Sequence, residues 1–235
     1  MIGCIIQARM GSTRLPGKVL KNLDSDKTVL DYVIQQLRNS KLIDKLVIAT
    51  TDLEEDEVIT KHARVIGIEY FRGSSLNVLD RFYNCAKKFS FSTIVRITAD
   101  CPLIDPQIVD LVIEKFKEQS YDYGTNCFPR TFPYGTEVEV FSFNALERMW
   151  KNATMPYEKE HVTPYIKEHN EEFRIFNIKN KKDISNYRYV IDVINDLQLV
   201  RKIVSNIKKK PILMNDIVDL LSNNSKLMDV NKDAN

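Results

Sequence analysis

The chain has 235 residues, too many for a stapled mini-domain and well suited to one large α/β domain. Its 43% hydrophobic and 28% charged content is that of an ordinary soluble globular protein. With 34 basic against 32 acidic residues the formal net charge is only +2, which argues against general polyanion binding and leaves any cationic surface to be found locally. The four cysteines, Cys4, Cys85, Cys101 and Cys127, have neither metal-ligand nor C-x-x-C spacing and read as reduced thiols of a cytoplasmic protein. The N-terminus lacks the apolar core of a signal peptide, and no run of about 18 apolar residues predicts a membrane span.

In chain order, "MIGCII" reads as a short buried strand closed by a glycine-rich turn. "TVLDYVIQQLRNS" places Val29, Leu30, Val33, Ile34 and Leu37 on one helical face. "DKLVIATTD" is a second buried strand, and "EEDEVITKHARVIG" a helix with acids in its first turn, where the helix dipole favours them. "IEYFRG", "NVLDRFYNCAKKF" and "STIVRITAD" continue as strand, helix and strand. "DPQIVDLVIEKFKEQS" follows, with Pro106 at the first helical position after a capping Asp105. The alternation predicts a doubly wound, mostly parallel sheet, whose ligands bind beyond the carboxyl ends of the strands.

Past "YDYGTNCFPRTFPYGTEVEVFSF" the pattern changes: "TEVEVFS" alternates as a strand, and helical stretches surround "YEKEHVTPYIKEH". "FRIFNIK" and "YRYVID" read as further strands. Residues 128–180 are expected to leave the sheet and to cover a site or form a subunit contact. The end, "PILMNDIVDLLSNNSKLMD", reads as a helix after Pro211 and then a frayed tail.

The most informative window is "IIQARMGSTRLPGKVL", residues 5–20. Arg9, Arg14 and Lys18 gather around Gly11 and Gly17, and no acid occurs before Asp24. A strand-to-helix turn is where α/β folds bind phosphates: glycines admit the anion to backbone N–H groups, and Arg and Lys supply charge. Three converging cations suit a triphosphate; the alternative is a solvated basic loop. A P-loop is excluded, because five residues separate the glycines and Val19 stands where a hydroxyl would meet the metal; G-x-G-x-x-G is also absent.

Two carboxylates stand at predicted strand ends. Asp100, in "VRITADCPLID", is placed to hold a Mg2+ that neutralises charge on a transferring phosphoryl group, or else to enter the next helix. Asp192, in "YRYVIDVIND", is the second candidate ligand, a turn role being its alternative. Arg81 in "VLDRF" has the wrong sign for the start of a helix, and pairing with Asp80 or facing a ligand both fit. Arg96, inside a strand, points to the pocket or makes a structural ion pair. Glu137 and Glu139 share one face of the alternating strand, unless that strand is an edge with its charges outward. His62 reads as solvated and His169 as a helix end. None of these two or His161 has a partner at metal spacing, which argues against a zinc site.

"QARMGSTRLPGK" resembles the N-terminal signature of the cytidylyltransferases that make CMP-activated sugar acids, including the 3-deoxy-manno-octulosonate and acylneuraminate enzymes. The nearest likeness is to relatives tied to spore coat polysaccharide biosynthesis. "LVIATTD", "YFRGS", "NVLDRF", "VRITADCPLIDP", "YGTEVEVFSFNALE" and "EHVTPYI" are similar to family segments in family order.

The resemblance implies a nucleotide-diphospho-sugar transferase type of fold and a reaction in which a sugar-acid hydroxyl attacks the α-phosphate of CTP. By that likeness Arg9, Arg14 and Lys18 hold the triphosphate, and Arg14, Lys18 and Asp100 carry catalysis. Gln7 and Ala8, with Arg72, Gly73 and Ser74, frame cytosine and ribose, and Arg81 joins the nucleotide site. Asp100 and Asp192 ligate Mg2+. Tyr134, Gly135, Glu137, Glu139 and His161 meet an acidic sugar acceptor, and a homodimer is expected, without nucleic acid or membrane partners. The family usually has an acid and a proline directly after the second Asp, whereas Val193 and Ile194 stand here. The competing readings are a nucleotidyltransferase acting on a sugar phosphate with another NTP, and a nucleotide-binding regulator without turnover.

Overall fold

The computed structural model describes residues 1–231. The apolar N-terminal run is β1 (Ile2–Gln7), with its four middle residues sealed from solvent. A basic loop leads to α1 (Val29–Leu37), whose start is set by a reciprocal cap: Thr28 accepts from the Asp31 N–H, and the Asp31 carboxylate accepts from the Thr28 N–H. Then come β2 (Lys45–Thr51), α2 (Glu57–Val65), β3 (Glu69–Gly73), α3 (Val78–Lys88) and β4 (Thr93–Thr98). Asp105 caps α4 (Pro106–Glu118) by accepting from the Gln107 N–H, with Pro106 first in the helix, as expected. The chain continues through β5 (Tyr123–Thr125), β6 (Glu139–Ser142), α5 (Phe143–Asn152), α6 (Pro156–His161), α7 (Pro164–Glu168), β7 (Ile175–Asn177), α8 (Ile194–Asn206), α9 (Met214–Ser222) and α10 (Ser225–Met228).

The strands form one seven-stranded sheet in the order β3-β2-β1-β4-β6-β5-β7. β1 to β4 pair in parallel, β6 runs antiparallel to β4 and β5, and β7 is parallel to β5. This is the expected doubly wound, mostly parallel architecture. After β1 the chain builds outward through β2 and β3, then returns to place β4 on the other side of β1. That reversal makes the crevice beyond Gln7 and Thr98, which pair in register, the topological switch point.

Apolar clusters lie on both faces. Ile6, Ile48, Val95 and Val140 pack beneath α1, α2 and α4. Ile5, Val47, Ile94 and Phe141 pack beneath α3, α5 and α7. A third cluster joins Val29 and Tyr32 of α1 to α8 and α9. Segment 128–180 returns to the sheet through β6 and β7, while its helices α5 to α7 cover the α3 face.

Three local expectations are corrected. "YRYVID" is not a strand: its backbone bonds go to Tyr134 and to the Asp100 carbonyl, because it passes the ends of other strands instead of pairing along one. Strand β6 begins only at Glu139, because the Asn126 side chain bonds the Val138 N–H and the Thr136 carbonyl where a neighbouring strand would. The described part of the tail packs on the body of the protein and does not fray: α10 buries Leu227, and the Asn231 amide donates to Asp196. The last four residues lie outside the described ones.

Candidate active site

The loop after β1 is shaped by its own backbone. The Met10 carbonyl accepts from Ser12 N at 2.8 Å and from Gly17 N at 2.9 Å, folding residues 10–17 into a compact turn. Gly17 has φ +67, a left-handed conformation that any side chain would strain, and it starts the short 3-10 turn bearing Lys18. Asp56, fully buried at the start of α2, accepts from Met10 N at 2.6 Å and from the Thr51 hydroxyl, tying the loop to the end of β2.

This loop and the one after β4 wall a cleft lined by Gln7, Arg9, Ser12, Thr13, Arg14, Lys18, Thr98 and Asp100. Lys18 Nζ lies 2.7 Å from Asp100 Oδ2, 3.0 Å from Asp192 Oδ1 and 2.7 Å from the Ile191 carbonyl. Burial alone would lower its pKa, but the two carboxylates hold it above the ordinary lysine value. Arg14 reaches Asp192 Oδ1 at 2.8 Å while its side chain stays 60% exposed. Asp192 Oδ2 accepts from Arg188 Nη2 at 2.7 Å. Burial opposes ionisation of Asp192, yet Lys18, Arg188 and Arg14 hold its pKa below the usual carboxylate range. The two candidate ligands thus converge on one cation. Hard carboxylate oxygens around a shared positive charge are the donor set that a divalent ion such as Mg2+ takes, so the residues fit the metal the resemblance implies.

The departure after Asp192 is compensated four residues on. Asp196, fully buried in the first turn of α8, accepts from the Asp192 and Val193 N–H groups and pairs with Arg188 at 3.5 Å. Val193 therefore follows Asp192 without leaving the turn unsupported.

The other expected site residues fall into separate groups. The Ala8 N–H is used by the Ala49 carbonyl, so that donor is committed to the sheet. The Arg72 guanidinium bonds the carbonyls of Thr51, Asp52 and Leu53. Gly73 packs on the stem of Arg81, and the Ser74 carbonyl accepts from Arg81 Nη1 at 2.8 Å. Arg81 is only 1% exposed and leaves Nε and Nη2 without a hydrogen-bond partner among the described residues; burial and the nearby charge of Arg9 pull its pKa down to about 10. Asp80 does not pair with it: its carboxylate accepts from the Trp150 indole instead.

Arg96 makes the structural pair, to Glu139, and its Nη2 also reaches Gln7 Oε1 at 3.3 Å. Glu139 is no edge residue: it is buried among Arg96, Lys167, Tyr123 and Thr163, with β5 and β4 on either side. Glu137 instead accepts from Arg130 Nη1 at 2.6 Å and from Gly135 N at 2.8 Å. Gly135, at φ +109, leaves no room for a Cβ against Tyr189 and Val190, which brings the Tyr134 turn against the segment leading to Asp192. His161 is exposed at the end of α6, and no hydrogen bond or ion pair among the described residues joins it to Tyr134 or Glu137. His62 is not merely solvated: Nε2 lies 2.7 Å from Asp31 Oδ1. Arg130, Arg188, Asp196 and Asp56 were not singled out in the sequence. For Asp196 and Asp56 a signal existed in their place at a helix start.

Residues 3–227 match the family model described as Cytidylyltransferase. The chain belongs to the cytidylyltransferase family. This cytidylyltransferase is 35% identical to the spore coat polysaccharide biosynthesis protein SpsF of Bacillus subtilis, over 94% of this chain and 93% of SpsF. It superposes on a cytidylyltransferase of Leptospira borgpetersenii serovar Hardjo-bovis with a TM-score of 0.92 and 36% identity, covering 96% of this chain and 95% of that one. A CMP:2-keto-3-deoxy-manno-octonic acid synthetase complexed with CTP shares the fold at 16% identity and a TM-score of 0.66, covering 87% of this chain and 98% of that one.

Proposed function

We propose that this cytidylyltransferase transfers CMP from CTP to a sugar acid of the ulosonate or nonulosonate type, releasing pyrophosphate, in the synthesis of a surface polysaccharide. The observation that carries this reading is the cleft at the switch point, lined by Arg9, Arg14, Lys18 and Asp100, where the Lys18 ammonium bridges Asp100 and Asp192 and Arg14 pairs with Asp192.

Arg9 and the exposed Arg14 receive the triphosphate, and Lys18 exchanges carboxylate partners for phosphate oxygens as the nucleotide enters. Asp100 and Asp192 would hold Mg2+, which when bound neutralises charge on the phosphates. Gln7, steadied by Arg96, lies at the base of the cleft. Ala8, Arg72, Gly73, Ser74 and Arg81 border the nucleoside, with the unpartnered donors of Arg81 supporting that placement. Tyr134, Gly135 and Glu137 border the acceptor, and His161 is assigned to the same side. Aligning the acceptor hydroxyl with the α-phosphate supplies much of the acceleration, since phosphoryl-type transfer needs little covalent help from the protein.

We assign the protein to the cytoplasm and segment 128–180 to acceptor binding and a homodimer contact; no described helix is long and apolar enough to cross a membrane. The test is pyrophosphate release from CTP and Mg2+ with a panel of 2-keto sugar acids. CTP-dependent release with at least one acid is expected, and none with any acid contradicts the reading.

A further inference from the structure

Asp192 meets Lys18 from a segment that belongs to no strand, so its placement rests on a few contacts. On one side the Tyr134 and Asp100 carbonyls accept from the Tyr189 and Ile191 N–H groups, both at 2.9 Å. On the other stands Asp196, fully buried in the first turn of α8. Its Oδ2 accepts from Asp192 N at 2.8 Å and Val193 N at 3.1 Å, and it lies 3.5 Å from Arg188 Nη2. Arg188 Nη2 in turn donates to Asp192 Oδ2 at 2.7 Å. One oxygen of Asp196 thus sets both the backbone of Asp192 and the guanidinium that orients its carboxylate.

The other oxygen is held from the far end of the chain. Asn231 Nδ2, 35 residues on, donates to Asp196 Oδ1 at 2.9 Å in a buried contact. The same nitrogen lies 3.4 Å from the Arg188 carbonyl. Asn231 is brought there by α10, whose Leu227 packs with α8 and α9. Among the described residues this is the one hydrogen bond to Oδ1. A buried carboxylate oxygen without a donor is costly, and the end of an Asp side chain turns easily. Without the Asn231 amide, Asp196 would rotate to share its remaining donors between two oxygens. The Asp192 N–H, the Val193 N–H and Arg188 would then lose a fixed acceptor.

We propose that Asn231 is a positioning residue of the active site: by locking Asp196 it fixes Asp192, and so sets how tightly the Asp100 and Asp192 pair holds a divalent ion. This rests on the reading of that pair as the metal-holding carboxylates.

The test uses the full chain with Mn2+ as probe, its binding in the presence of CTP read by electron paramagnetic resonance. Asn231→Ala should raise the Kd for Mn2+ by about 10-fold, the lower end of what outer-shell partners of metal ligands contribute. The Mg2+ concentration giving half-maximal pyrophosphate release should rise in parallel, with kcat restored to within about 2-fold at excess Mg2+. Asn231→Asp sets two carboxylates against each other and should cost more, about 30-fold or above, while Asn231→Gln keeps the amide and part of the affinity. CTP affinity without metal, by calorimetry, should stay within about 2-fold in all three, because Arg9, Arg14 and Lys18 lie outside this network. Unchanged Mn2+ affinity in Asn231→Ala and Asn231→Asp, or a loss matched by the metal-free CTP affinity, overturns the inference while the metal reading stands. Mn2+ binding that is indifferent to Asp100→Asn overturns both.

Discussion

Two clusters of carboxylates and cations lie a few residues apart in this molecule and are built to opposite ends. Around Glu139 the partners are enclosed: Arg96, Lys167, Tyr123 and Thr163 surround a carboxylate that is 4% exposed. Around Asp100 and Asp192 the cluster opens into the cleft, and the Arg14 side chain is largely in solvent. An enclosed charge must keep its partners, because losing one strands the rest without water. A half-open cluster can exchange a lysine or an arginine for a phosphate at little cost. Gln7 touches Arg96 on one side and lines the cleft on the other, so the rigid cluster steadies the floor of the exchangeable one.

The strongest test of this contrast is Asp100→Asn. It should cut turnover by about 1,000-fold or more, since it removes a carboxylate placed to hold charge-neutralising metal, while Tm shifts by only a few degrees. A large drop in Tm with activity retained would place Asp100 with the structural class.

Glu139→Gln should do the reverse. It leaves Arg96 and Lys167 without their counter-charge and should cost about 3 kcal/mol in chemical denaturation. Burial alone would raise the Glu139 pKa, but Arg96 and Lys167 hold it well below the ordinary 4.5. A depressed carboxylate stabilises the fold fully above that ordinary value, and the stabilisation is lost as pH falls below it. The gap between wild type and Glu139→Gln should therefore be widest above about pH 5 and narrow toward pH 3. A gap independent of pH would show that Glu139 contributes through packing alone.

Arg14→Ala should weaken CTP binding by about 10-fold, measured by calorimetry, with stability almost unchanged because its exposed pair with Asp192 contributes little. The smallest effect belongs to His62→Ala, remote in sequence from every cleft residue. Loss of its contact to Asp31 should cost less than about 1 kcal/mol and leave CTP affinity untouched.

Much of the fold was legible because its signals are local. The apolar runs of β1, β2 and β4, the Thr28 and Asp105 caps and the first-turn Pro106 need only their neighbours to be read. The basic loop was legible for the same reason: three cations and two glycines stand in one window. Partners distant in sequence were not legible. "YRYVID" has strand composition, yet its hydrogen bonds go to Tyr134 and Asp100, which only the folded chain brings near. Glu139 alternates like an edge residue until β5 and β4 enclose it. Asp196 shows how an apparent departure after Asp192 is made good by an acid one helical turn later.

The most direct measurement is a crystal structure with CTP and Mg2+. The triphosphate should lie within hydrogen-bonding distance of Arg9, Arg14 and Lys18, with Lys18 drawn off at least one carboxylate and the ion between Asp100 and Asp192. A nucleotide bound elsewhere, with Lys18 still bridging both aspartates, would contradict the assignment.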